Sequence, residues 1–196
     1  MERTKLEAAA ANYTYLRGLF FLPLGVLPIV SALGNTGWGP LRNTWVFLAV
    51  LASIGIACLP INSFYNKHYG TLRASTGQQA RAAAAVVLAI AVVVVGSTLL
   101  RSRANWSLDL PVNATAVTLS LVILLSYAAG RVLKAHHVII WGALLVAGAL
   151  PVWTGEDPSN TGLWLSGIAV IVCGIFDHRL FVRTFGPPEL PAHARI

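Results

Sequence analysis

Long apolar runs separated by short polar segments dominate this chain. Six of these runs approach the 20 or so helical residues that cross the hydrocarbon core of a bilayer, and they lie near 15–34, 44–64, 82–100, 110–130, 137–154 and 162–183. The run 82–95, rich in alanine and valine, lacks the apolar–polar alternation of a transmembrane β-strand. The pattern therefore predicts an all-α, polytopic transmembrane bundle with about six spans.

The composition agrees with lipid as the main solvent. Only 11% of the 196 residues are charged and 56% are hydrophobic, whereas roughly a quarter of a soluble domain is charged. The two cysteines lie in apolar runs without C-x-x-C spacing, which excludes a disulfide framework and a four-cysteine metal site. The net charge of +7 comes without a basic cluster interleaved with aromatics, so nucleic acid is not an expected partner.

The placement of lysine and arginine predicts the orientation of the chain. With six spans, 11 of the 14 basic residues fall on one side, and only Arg42, Arg101 and Arg103 fall on the other. Basic residues collect on the cytoplasmic side of membrane proteins. We therefore predict a multi-pass protein of the cell membrane with both termini in the cytoplasm. It has one transmembrane domain over 1–186 and a disordered, proline-rich cytoplasmic tail over 187–196.

Asp177 is the one acidic residue well inside a predicted span, about two turns from the cytoplasmic end of the sixth. An ionisable group at such depth is costly and is by default a functional hypothesis. The functional interpretation is a site for a proton, a cation or an amine. The structural interpretation is an ion pair with Arg131, Lys134 or Arg179, since a basic side chain can reach headgroups from this depth.

Polar side chains at helical spacing mark one face of the second span and one face of the fourth. These stripes face the bundle rather than lipid, either to bond helices together or to line a cavity open to the cytoplasm. We predict a cavity among spans 2, 4 and 6. Its predicted ligand-binding residues are Asn62, Tyr65, Asn113, Ser120, Tyr127, Arg131 and Asp177.

The sequence offers little for metal or covalent catalysis. The only weak metal candidates are His136 and His178, and no H-x-x-x-H pair supports them, so no metal site or cofactor is predicted. The chain has no G-x-S-x-G or H-E-x-x-H motif, no phosphate-binding loop and no aspartate cluster for Mg²⁺. Enzymatic activity is therefore not the expected role.

Three hypotheses on function remain open. The first is a protein that binds or moves a small molecule, as a transport component or a membrane sensor. The second is an accessory or scaffolding subunit that docks on a membrane protein or on a second copy, through the third span, the loop 67–81 and the small residues Gly18, Gly25 and Ala32. The third is a membrane enzyme acting on a lipid or an isoprenoid. In all three the lipid bilayer surrounds the chain.

Overall fold

The architecture was read from a computed structural model. It describes residues 13 and 15–70, scattered residues between 76 and 91, and the ranges 113–149 and 158–187. These residues are predominantly helical and include no strand, which confirms the all-α prediction. Most of the predicted third span and residues 188–196 of the predicted tail lie outside the described residues.

Five α-helices coincide with the remaining five predicted spans. They are α1 (Phe21–Asn35), α2 (Thr44–Tyr69), α3 (Ala114–Ala129), α4 (Ala135–Ala149) and α5 (Pro158–Phe185). Short 3₁₀ helices over Gly18–Phe20 and Gly39–Arg42 precede α1 and α2. Because the apolar runs form these helices, the pattern of the sequence located them to within a few residues.

Three of the described helical segments are long and apolar enough to cross a membrane: Gly18–Asn35, Thr44–Tyr69 and Asn160–Phe185. The apolar helices α3 and α4 are shorter, with 16 and 15 residues. At 1.5 Å per residue, each is about 24 Å long or slightly less, below the roughly 30 Å of a bilayer core.

The chain divides into two compact units. The first comprises Met1–Ser75 and Val170–Ile196, and the second comprises Thr76–Ala169. The first unit thus holds α1, α2 and the later part of α5, and the second holds α3, α4 and the earlier part of α5.

In the first unit, α1 and α2 form a hairpin with apolar side chains packed at both ends. Val30, Leu41 and Ile54 form a buried cluster near the connection between the two helices. At the opposite end, Tyr13, Leu16, Tyr65 and Phe181 form a second cluster. The 3₁₀ helix that precedes α1 crosses α5 so closely that a Cβ on Gly18 would lie 2.0 Å from the carbonyl oxygen of Gly174.

In the second unit, α3 and α4 form a hairpin whose turn is closed by the backbone. The Val132 amide donates to the Tyr127 carbonyl at 3.0 Å, and the Arg131 amide donates to the Ala128 carbonyl at 3.0 Å. These two bonds define a Schellman motif, which needs a left-handed residue after the helix. Arg131 occupies that position with φ of 57°.

The other end of this hairpin is fixed by Asn113, which precedes α3. Its side-chain oxygen accepts the Ala116 amide at 2.9 Å, and its own amide donates to the Gly148 carbonyl of α4 at 2.9 Å. Gly162 of α5 lies directly against the Asn113 side chain, where a Cβ would come within 1.9 Å. Gly162 thus gives the Asn113 side chain the space to cap α3 while buried, and Gly148 lets α4 approach α3 closely at Ala116.

Candidate functional site

Five small hydroxyl groups within the described helices bond to their own backbone, whereas the buried Ser166 hydroxyl has no hydrogen-bond partner among the described residues. The hydroxyls of Ser31, Ser53, Ser120, Ser126 and Thr184 each donate to the carbonyl four residues earlier, at distances between 2.7 and 2.9 Å. Such local bonds satisfy a hydroxyl in an apolar medium without a partner on another helix. They therefore indicate no binding site.

Tyr65, in contrast, connects three elements of the first unit. Its hydroxyl oxygen accepts the Leu19 amide at 3.3 Å, and it lies 3.0 Å from Nδ1 of His178. A neutral phenol needs an acceptor for its own proton, so we assign the O–H to Nδ1 and the imidazole proton to Nε2. Since Tyr65 is fully buried, this pairing fixes the side chain between the start of α1 and α5.

Arg17 lies beside Tyr65 and is held by neutral groups. Its Nη2 donates to the side-chain oxygens of Asn62 and Asn66, each at 3.2 Å. Its guanidinium carbon lies 4.7 Å from the centroid of the Tyr65 ring, and 5.3 and 5.4 Å from those of Phe20 and Tyr13. These distances permit cation–π attraction to all three rings. We call these six residues the Arg17 cluster.

Two further tyrosines tie the cluster to the ends of α2 and α5. The Tyr13 hydroxyl donates to the Gly70 carbonyl, and the Tyr69 hydroxyl donates to the Gly186 carbonyl at 3.2 Å. Burial raises the pKa of the Tyr13 phenol above its usual value, against the opposing effect of the Arg17 charge. Tyr13 is therefore a neutral donor near pH 7. The two tyrosine bonds also bring together, at one end of the unit, the segment before α1 and the ends of α2 and α5.

Asp177 is fully buried on α5, together with Cys173 one turn earlier. The Cys173 thiol donates to Oδ2 of Asp177 at 3.7 Å. Asp177 is also the only acidic residue in the described part of the chain. A thiol is a weak donor, and this contact lies within α5 itself, one helical turn apart.

The second unit contains a buried pair of rings at its α3–α4 turn. Tyr127 and His137 stack with centroids 3.7 Å apart and planes inclined by 23°. Nδ1 of His137 accepts the Lys134 amide at 3.1 Å, just before α4 begins. That bond puts the imidazole proton on Nε2, and it lets α4 begin at Ala135, two residues before the predicted start.

The predicted ligand-binding residues are divided between the two units. Tyr65 and Asp177 are buried in the first unit, where Asn62 is exposed. In the second unit Asn113, Ser120 and Tyr127 are buried and Arg131 is exposed. Among the weak metal candidates, His178 bonds Tyr65, and the ring of His136 lies 4.1 Å from that of His137. The cavity among spans 2, 4 and 6 stays a prediction.

Arg17 and Tyr13 were missing from the predicted site. The sequence held one signal for them: Tyr13 precedes Arg17 by four positions and Phe20 follows it by three, which is the spacing of neighbours on a helix face. The decisive partners are on α2, far along the chain, and local spacing does not reveal them.

Comparison with known proteins adds no relative: no family model, curated protein or solved structure matches this chain. The geometry alone must therefore support a proposal about function.

Proposed function

We propose that this chain is a multi-pass integral membrane protein with six spans and both termini in the cytoplasm, which binds or moves a small molecule through its cytoplasmic half. The observation that carries the proposal is the complete burial of Asp177 within the apolar candidate span Asn160–Phe185. The ligand would meet polar side chains of predicted spans 2, 4 and 6.

The physical argument starts from the energy of a buried carboxylate. Moving such a group out of water costs several kcal/mol even after relaxation, and an apolar residue at this position would avoid that cost. Ionisable residues within spans typically mark ligand, ion or proton pathways. Tyr65 and Tyr127 are candidates for a binding role because each is a large, buried side chain with a polar group and each lies against a histidine ring.

The test identifies small molecules that remain bound to the purified protein. The wild type, Asp177→Asn and Tyr127→Phe are purified in mild detergent, and compounds released by denaturation are measured by mass spectrometry. We expect one compound near equimolar amounts with the wild type and at least tenfold less with both variants, at unchanged expression. The matched control is Ser53→Ala, which removes an exposed hydroxyl bonded only to its own helix.

Two results would contradict the proposal. If all four proteins carry the same compounds in the same amounts, Asp177 and Tyr127 do not bind ligand. If both variants lose folding together, the two residues are structural. The orientation is tested separately, because a tag fused after Ile196 should be inaccessible to an impermeant reagent until cells are permeabilised.

The alternative of an accessory subunit rests on the exposure of α2. Within its 26 residues only Ile54 and Tyr65 are buried, so most of the helix faces lipid or another protein. Purification distinguishes the two, since a dedicated subunit keeps one protein at fixed stoichiometry and carries no bound small molecule.

A further inference from the structure

Among the described residues, basic side chains outnumber acidic ones at the end of the first unit that contains the Arg17 cluster. Tyr13 and Tyr69 bring the start of α1 to the ends of α2 and α5. Besides Arg17, the basic residues near these ends are Lys67, Arg179 and Arg183, all exposed. The one acid in the described ranges, Asp177, is buried, so no described acidic side chain is exposed on this surface.

The Arg17 charge is held in place without being neutralised. All hydrogen bonds of Arg17 within the described ranges come from Nη2, and they end on the carbonyl and amide oxygens of Asn62 and Asn66. The three rings of the cluster orient the guanidinium but carry no net charge. Because amides and rings are neutral, these contacts leave the positive charge of the half-buried guanidinium uncompensated, and Nη1 donates to none of the described residues.

The level of Arg17 along the helices indicates which anion this is. Arg17 directly precedes the candidate span Gly18–Asn35, and the candidate spans on α2 and α5 end at Tyr69 and Phe185. If these segments cross the membrane, as the proposed function requires, the cluster lies where apolar helix gives way to water. That is the level of lipid phosphates, and anionic lipids attract basic residues placed there.

We propose that the Arg17 cluster, with the exposed Lys67 and Arg183 in the last turns of α2 and α5, binds the phosphate of an anionic phospholipid headgroup. A guanidinium matches phosphate oxygens through paired N–H donors, which an ammonium does not. Asn62 and Asn66 preorganise the group, so little side-chain freedom is lost on binding. Phe20, the half-buried ring of the cluster, offers an apolar surface to the upper acyl chain.

The test measures thermal stabilisation by lipid in a neutral detergent. Phosphatidylglycerol and phosphatidylcholine with identical acyl chains are added separately to the full-length protein, and the melting temperature is followed by circular dichroism. We expect phosphatidylglycerol to raise the melting temperature more than phosphatidylcholine. In Arg17→Gln, most of this difference between the two lipids should disappear. In Arg17→Lys, only part of the difference should remain.

Arg42→Gln is the matched control, because Arg42, like Arg183, is an exposed arginine of the first unit but lies in the 3₁₀ helix at the other end of the α1–α2 hairpin. It should keep the full difference between the two lipids. Lys67→Gln and Arg183→Gln should each reduce it, and these exposed positions keep the test valid if Arg17→Gln does not fold.

Three outcomes would overturn the proposal. An equal loss in Arg42→Gln would mean general charge attraction, and an unchanged difference in all the Arg17, Lys67 and Arg183 variants would mean no site. Stabilisation by inorganic phosphate equal to that by phosphatidylglycerol would indicate a site for a free anion. The lipid measurement does not depend on any compound bound near Asp177, so its failure and that of the proposed function are distinguishable.

Discussion

The close crossing of α1 and α5 makes Gly18→Ala the sharpest test of the packing in the first unit. An added methyl would lie 2.0 Å from the Gly174 carbonyl oxygen and 2.6 Å from the His178 amide nitrogen. Both are backbone atoms of a helix, so no rotation of a side chain can relieve the contact. To restore even a 3.0 Å contact, α5 would have to move by about 1 Å.

The size of the expected effect follows from this displacement. Overpacking in a tight core typically costs about 1–3 kcal/mol when side chains can adjust. Here the helix itself must move, and the shift would also disturb the Tyr65–His178 pair on the same turn of α5. We therefore expect Gly18→Ala to lower the free energy of unfolding by about 3 kcal/mol or more.

The assay is unfolding by an increasing fraction of denaturing detergent in mild micelles, followed by circular dichroism. Gly55→Ala is the matched control, because a Cβ there meets no atom within 4 Å and alanine favours a helix by roughly 0.5–1 kcal/mol. In Gly174→Ala the closest new contacts would be at 2.6 Å. This variant should be more stable than Gly18→Ala and less stable than Gly55→Ala. If Gly18→Ala and Gly55→Ala unfold at the same fraction of denaturing detergent, the described crossing is wrong.

Two further predictions concern the helix ends of the second unit. Arg131→Gly should raise the free energy of unfolding by about 1 kcal/mol, since glycine adopts the left-handed conformation without steric cost. A lower free energy of unfolding would show that contacts of the Arg131 side chain stabilise the protein by more than the left-handed backbone of arginine destabilises it. Asn113→Ala should lower the stability by about 1–2 kcal/mol because it removes a buried cap, whereas Asn43→Ala removes an exposed cap and should cost less. Equal losses at the two caps would contradict the burial of Asn113. Both are measured with the same unfolding assay.

The sequence predicted the helices well because lipid-facing segments need continuous apolar runs. It predicted the helix ends less well, because caps decide them and hydropathy does not register caps. The fourth predicted span was expected from residue 110, but Asn113 caps the helix that begins at Ala114. The α3–α4 turn is closed by Arg131, a residue type that no turn rule favours at a left-handed position.

The sequence indicated only part of the candidate site, because its patterns are local and do not reveal contacts between distant segments. Sequence patterns identify polar residues in apolar runs, and they correctly drew attention to Tyr65 and Asp177 as polar groups that become buried. They treated Arg17 only as a charge that sets topology. Its role depends on Tyr65 and two asparagines of α2, which no local pattern connects to the start of α1.

The hydrogen bonds of the described helices suggest how such polar residues should be weighed. Lipid offers no partner, so every polar group in a span must be satisfied within the protein. A serine does this on its own helix, as Ser120 does, and its presence therefore carries no information about other helices. The terminal polar groups of tyrosine and arginine are too far from their own backbone and must find partners elsewhere. Tyr65, His178 and Arg17 do so across elements, and for that reason they, rather than the serines, indicate where this protein can engage a ligand.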